Sequence, residues 1–146
     1  MENVIHSLWP EDLATEGPKL PVTILKEQAS ALSNATKNAL RGEVKTSPGD
    51  KGGFVHRFYI RVDVLDNYSY LLFIVSHGVS GYPAVVRDPS KDTSDSWAEI
   101  LGAVDGIPAW SECLNPEELE RALQAFFRSD GTKRIIQSLW QQSKAA

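Results

Sequence analysis

The stretch FVHRFYIRVDVLDNYSYLLFIVSH, residues 54–77, decides how this chain folds. Its first half alternates. Phe54, His56, Phe58, Ile60, Val62 and Val64 fall on one side of an extended chain, and Val55, Arg57, Tyr59, Arg61, Asp63 and Leu65 on the other, because successive strand side chains point to opposite faces. Such alternation marks a strand with one buried face. Asp66-Asn67 then reads as a two-residue bend, since Asp and Asn tolerate positive φ. Tyr68 to His77 returns as the partner strand, apolar on both sides and so interior to a sheet.

A bend at Asp66-Asn67 sets a register. Leu65 is expected opposite Tyr68, Val62 opposite Leu71, Ile60 opposite Phe73, Phe58 opposite Val75, and His56 opposite His77. Directly opposed Cβ atoms lie about 4.5–5.5 Å apart. His56 and His77 are therefore a candidate metal-ligating or proton-transfer pair. Glu43 and the Asp-rich 88–95 segment are the candidates for a third ligand. The same register gathers Arg57, Tyr59, Arg61, Tyr68 and Tyr70 on the opposite face. Tyrosine and arginine are enriched where protein partners bind, which makes these five the candidate binding residues. The N-terminal helix is expected to cover that face in part, with the arginines reaching round its margin.

Working outward, residues 1–21 hold Pro10, Pro18 and Pro21 with little periodicity and read as an irregular lead-in pinned by Leu8 and Trp9. Leu25, Ala29, Leu32, Thr36 and Ala39 carry helical spacing over 22–40, with Pro21 in the first turn and Gly42 placed to cap the end. Glu43 to Thr46 forms a short strand, and 47–53 a glycine-rich turn with no phosphate-loop spacing. Past a turn at 78–81, Tyr82 to Arg87 is the next strand, with Pro83 at its start or on an edge. Ser96 and Glu99 have capping-box spacing for a short helix over 97–104. Asn115-Pro116-Glu117-Glu118 opens a further helix. Ser129-Asp130-Gly131 breaks it, and a last helix follows over 132–142. The sum is an α+β fold: an antiparallel meander of three to five strands, preceded by one helix and packed by C-terminal helices, in a single domain over 1–146.

A chain of 146 residues with 42% hydrophobic and 23% charged residues is ordinary globular material. A net charge of −4 argues against nucleic acid and anionic membrane as partners, since both select a basic field. One cysteine, Cys113, permits no internal disulfide and suits a reducing compartment. The N-terminus lacks a signal-peptide pattern, so a cytoplasmic location is expected. Ser76 and His77 are neighbours in a strand and cannot share a face, and no nucleophile elbow surrounds either. Acids at 112, 117 and 118 oppose ionisation of Cys113, which reads as buried and inert. No cofactor is implied. The function expected is that of a small non-enzymatic domain that binds another protein or itself, in a regulatory, adaptor, chaperone or immunity-type role. The alternative is a small enzyme or metal-dependent binder centred on His56 and His77.

Overall fold

A computed structural model describes residues 6–13, 17–49, 52–91 and 110–146. Helix α1 (Pro21–Ala35) leads into strands β1 (Arg41–Pro48), β2 (Phe54–Val62), β3 (Tyr68–His77), β4 (Ala84–Arg87) and β5 (Trp110–Cys113), followed by helices α2 (Pro116–Phe127) and α3 (Asp130–Ala145). The strands form one antiparallel sheet in sequence order, β1-β2-β3-β4-β5. This is the expected α+β class, a helix before a meander and two helices after it. The segment 97–104, read as a helix, lies outside the described residues. Four-residue β5, carrying no alternation long enough to notice, was not anticipated as a strand.

Helix α1 ends five residues earlier than its periodicity suggested. Lys37 and Asn38 both take positive φ (51° and 67°), and the Thr36 hydroxyl closes the turn, lying 2.9 Å from both Leu32 O and Leu40 O and accepting from Leu40 N at 3.1 Å. Gly42 is thereby freed from capping and lies in β1, directly beneath the helix. A Cβ there would stand 2.4 Å from Ala29 Cα, so the close approach of α1 to the sheet requires glycine. Helix α2 starts as expected, with Asn115 Oδ1 accepting from Glu118 N at 2.8 Å and Glu118 Oε2 accepting from Leu114 N at 2.9 Å. The lead-in does not pin itself through tryptophan: Trp9 is 73% exposed.

The β2–β3 hairpin holds the main correction. Asp66 and Asn67 do take positive φ (56° and 57°), but they close a longer loop. Asp63–Leu65 coil into a 3-10 turn, and Asn67 N donates to Asp63 O at 3.2 Å. Asp63 is held there by two cations, Arg41 Nη1 at 2.8 Å and Arg61 Nε at 3.1 Å. Val64, expected inward, is 61% exposed. Pairing therefore begins with Val62 opposite Tyr68 and Ile60 opposite Tyr70, three residues short of the expected register. A bulge follows. Tyr59 faces Leu71 and Phe58 faces Phe73, leaving Leu72 as the extra residue. Beyond it His56 faces Val75 and Phe54 faces His77, only two residues from the expected register. An odd slip exchanges faces and an even one preserves them. Phe73, Val75 and His77 thus keep their expected face, while Tyr68 and Tyr70 move to the other.

The buried face carries Phe58, Ile60, Val62, Phe73 and Val75, all at most 2% exposed. Phe58 and Phe73 stack at 4.8 Å, and Phe126 and Phe127 of α2 pack on Phe73 at 5.6 and 5.7 Å. Ile24 and Leu25 of α1, Leu119 and Leu123 of α2 and Leu139 of α3 complete the same cluster. Gly42, under α1, pairs with Ile60 of this face, and Ile136 of α3 lines a cleft with Phe58 and Leu72. All three described helices accordingly lie on one side of the sheet. The expectation that α1 covers the arginine-tyrosine face is overturned, because the alanine and glycine contact draws it to the other. Among the described residues no helix is long and apolar enough to cross a membrane.

Candidate functional site

Arg57, Tyr59 and Arg61 project together from β2 on the face away from the helices, each half-buried. Tyr68 and Tyr70 do not join them. They pair with Val62 and Ile60 on the helix side, where Tyr70 packs on the core and burial raises its pKa. The candidate binding set of five is reduced to three by the longer loop at 63–67, whose odd register slip puts Tyr68 and Tyr70 on the helix side before the bulge at Leu72 restores parity. Strand β1 supplies what the sequence reading missed. Arg41 lies opposite Arg61, Glu43 opposite Tyr59 and Lys45 opposite Arg57. The signal is the alternation of Arg41, Glu43 and Lys45 against Gly42, Val44 and Thr46, of which the expected strand, Glu43 to Thr46, holds only the last four residues.

This face concentrates positive charge on a chain whose net charge is −4. On β1 and β2 four cations, Arg41, Lys45, Arg57 and Arg61, share it with Glu43 and with Asp63 of the adjoining turn, and Arg87 of β4 and Glu112 of β5 lie further along the same face. Two pairs of cations are directly opposed across the ladder, Arg41 with Arg61 and Lys45 with Arg57, an arrangement that destabilises a sheet unless offset. Asp63 offsets the first. The hydrogen bond from Arg41, then the charges of Arg41 and Arg61, hold its carboxyl below the ordinary carboxylate value. Glu43 lies 3.6 Å from Arg61 and 4.0 Å from Lys45, and Lys45 Nζ sits 5.1 Å from the Tyr59 ring centroid. Arg57 is treated differently. Its Nη1 donates to Ser47 Oγ at 2.9 Å, and among the described residues no carboxylate lies within ion-pair distance of it. Val55 and Leu71 supply apolar surface on the same face beside Arg57 and Tyr59, and Ile74, opposite Arg57, is buried.

The two histidines meet, though not as an opposed pair. They are diagonal neighbours across β2 and β3, and His56 Nε2 lies 2.7 Å from His77 Nε2. The hydrogen bonds fix a direction. His77 Nδ1 is 2.6 Å from Gly78 O, and a carbonyl only accepts, so Nδ1 carries the proton. In neutral His77 Nε2 must then accept, which makes His56 Nε2 the donor and His56 Nδ1 the acceptor from the Thr46 hydroxyl at 2.8 Å. The result is a chain of donors running Thr46 to His56 to His77 to Gly78, across three strands and into the next turn. His56 is 3% exposed. Burial, then the charges of His77 and Lys26, lowers its pKa from 6.5 to about 4.

This geometry leaves neither ring with a free nitrogen. His77 borders an open cleft of about 410 Å³ with Gly53, Phe54, Gly78 and Pro83, but both its nitrogens are already bonded. Glu43 projects to the opposite face, paired with Tyr59, and is no third ligand. Of the 88–95 segment, residues 92–95 lie outside the described residues. Among the described residues no group of three His, Cys, Asp or Glu side chains could hold a metal ion. Ser76 pairs with Val55, on the other face from His77. Cys113 is 1% exposed, and burial followed by the charge of Glu118 pushes its thiol pKa up, as an inert cysteine requires. Comparison of the chain with protein-family models, with curated proteins and with solved structures finds no match.

Proposed function

We propose that the chain is a single α+β domain whose work is to bind another protein, and that an acidic surface of that partner docks on the sheet face built by Arg57, Tyr59 and Arg61. The observation that carries this reading is Arg57. It is a half-buried guanidinium held in place by a serine hydroxyl, with no carboxylate beside it among the described residues. A guanidinium so placed has donors left for a bidentate carboxylate. Tyr59 beside it offers a rigid aromatic anchor, and the four cations give an acidic partner a complementary field. The imidazole pair is better read as a pin that ties β1, β2 and β3 together, since its nitrogens are spent within the chain.

The test places a photo-crosslinking residue at Tyr59 and compares capture by otherwise wild-type protein with capture by an Arg57→Ala/Arg61→Ala variant of equal thermal stability. One identified partner should be captured through an acidic segment, with a yield that falls in the variant and at high salt. Equal yield from both proteins, or a partner contacted through a basic or purely apolar surface, refutes the assignment.

A further inference from the structure

Among the described residues strand β1 is an edge of the sheet, and its outer side has a readable hydrogen-bonding pattern. At the hairpin, Gly49 N donates to Gly53 O at 2.8 Å, so residues 49 and 53 form a hydrogen-bonded pair. Such pairs alternate along an antiparallel ladder. Arg41, Glu43, Lys45 and Ser47 therefore bond inward to β2, while Gly42, Val44 and Thr46 turn their N–H and C=O groups to the open edge. The Ser33 hydroxyl confirms the direction by reaching Gly42 N from outside at 3.4 Å. Pro48 has no N–H. The amides left to offer are those of Val44 and Thr46, and the carbonyls are those of Gly42, Val44 and Thr46.

We propose that two copies of this chain pair antiparallel through β1, with Val44 opposite Val44 of the second copy. In that register each Thr46 N–H meets Gly42 O of the second copy, and the two Val44 residues exchange N–H to C=O bonds. The side chains agree. Glu43 lies opposite Lys45 of the second copy, twice by symmetry, and Arg41 lies opposite Ser47. The neighbouring registers that keep the same groups facing are rejected by charge. A shift one way sets Glu43 against its own copy and Arg41 against Lys45, and a shift the other way sets Lys45 against its own copy. An edge that repels itself in both neighbouring registers is steered to the one between them. The pairing makes a ten-stranded sheet with every described helix on one side, and it joins the two basic faces into one.

The experiment is analytical ultracentrifugation of the full chain over micromolar concentrations. Wild-type protein should sediment at twice the chain mass. Lys45→Glu sets four carboxylates across the seam and should give monomer, while the Glu43→Lys/Lys45→Glu exchange restores both opposed pairs and should restore the dimer. Wild-type monomer throughout, a dimer indifferent to Lys45→Glu, or an exchange variant that stays monomeric overturns the proposal. Hydrogen exchange on the wild-type chain gives a reading independent of any variant. In the dimer the Val44 and Thr46 amides should be protected, and rapid exchange at both overturns the pairing as well.

Discussion

The two faces of the sheet are made from the same strands and differ in almost everything else. On one, Phe58 and Phe73 stack under three helices with essentially no exposure. On the other, Arg57 and Arg61 flank Tyr59 with partial exposure, and none of the described helices lies above them. The difference teaches that the packed core and the proposed docking face are separated here by strand parity. Neighbouring residues such as Phe58 and Tyr59 answer to different demands, and a substitution's effect should follow its parity more than its distance from the sheet's centre.

Four measurements would break or sharpen that division. The largest effect is expected for Phe73→Ala, which opens a cavity against Phe58, Phe126 and Phe127 and should cost about 3–5 kcal/mol in a urea titration. A cost near 1 kcal/mol would mean the helix layer is loosely packed. Next is the pH dependence contributed by His56, at the end of the same face. Its folded pKa of about 4 lies below the unfolded 6.5, so the unfolded state binds the proton first. The stabilisation is full above about pH 6.5 and is lost as pH falls through 4, roughly 3 kcal/mol in all. Asp63, held below the ordinary carboxylate value of 3.8, acts only at more acidic pH. Urea titrations between pH 7.5 and 4 should show the loss, and His56→Gln should flatten it.

Gly42→Ala is expected to cost about 1–3 kcal/mol, because the new methyl group collides with Ala29 Cα and lifts α1. A neutral outcome would show that the helix rides more freely over β1 than its contacts imply. The smallest effect is expected for Arg57→Ala and Tyr59→Ala, each within about 0.5 kcal/mol as surface substitutions away from caps and cavities. A loss of several kcal/mol at Tyr59 would place that ring in a second core and remove the division altogether.

The alternation of residues 54–62 was legible from sequence, and so was the helix start at Asn115, because both depend on neighbours in the chain. The positive φ of Asp66 and Asn67 was legible for the same reason. The loop around them was not. Asp63 leaves the strand because Arg41, on another strand, and Arg61 both claim its carboxylate. A contact between residues 41 and 63 is invisible to any local pattern. Nor could the bulge at Leu72 be foreseen, since Leu71 and Leu72 are equally apolar and only the fit under the helices chooses between them. The loop moved Tyr68 and Tyr70 off the candidate binding face. Together with the bulge it left His56 within reach of His77, because their combined offset is even. The meeting of the imidazoles was therefore anticipated for a partly mistaken reason.

That single surplus leucine also works as a mechanical clutch between the two ends of the hairpin. Strain or sequence change introduced at the Asp63–Asn67 tip can be taken up where Leu72 sits, before it reaches the ladder that aligns Thr46, His56 and His77.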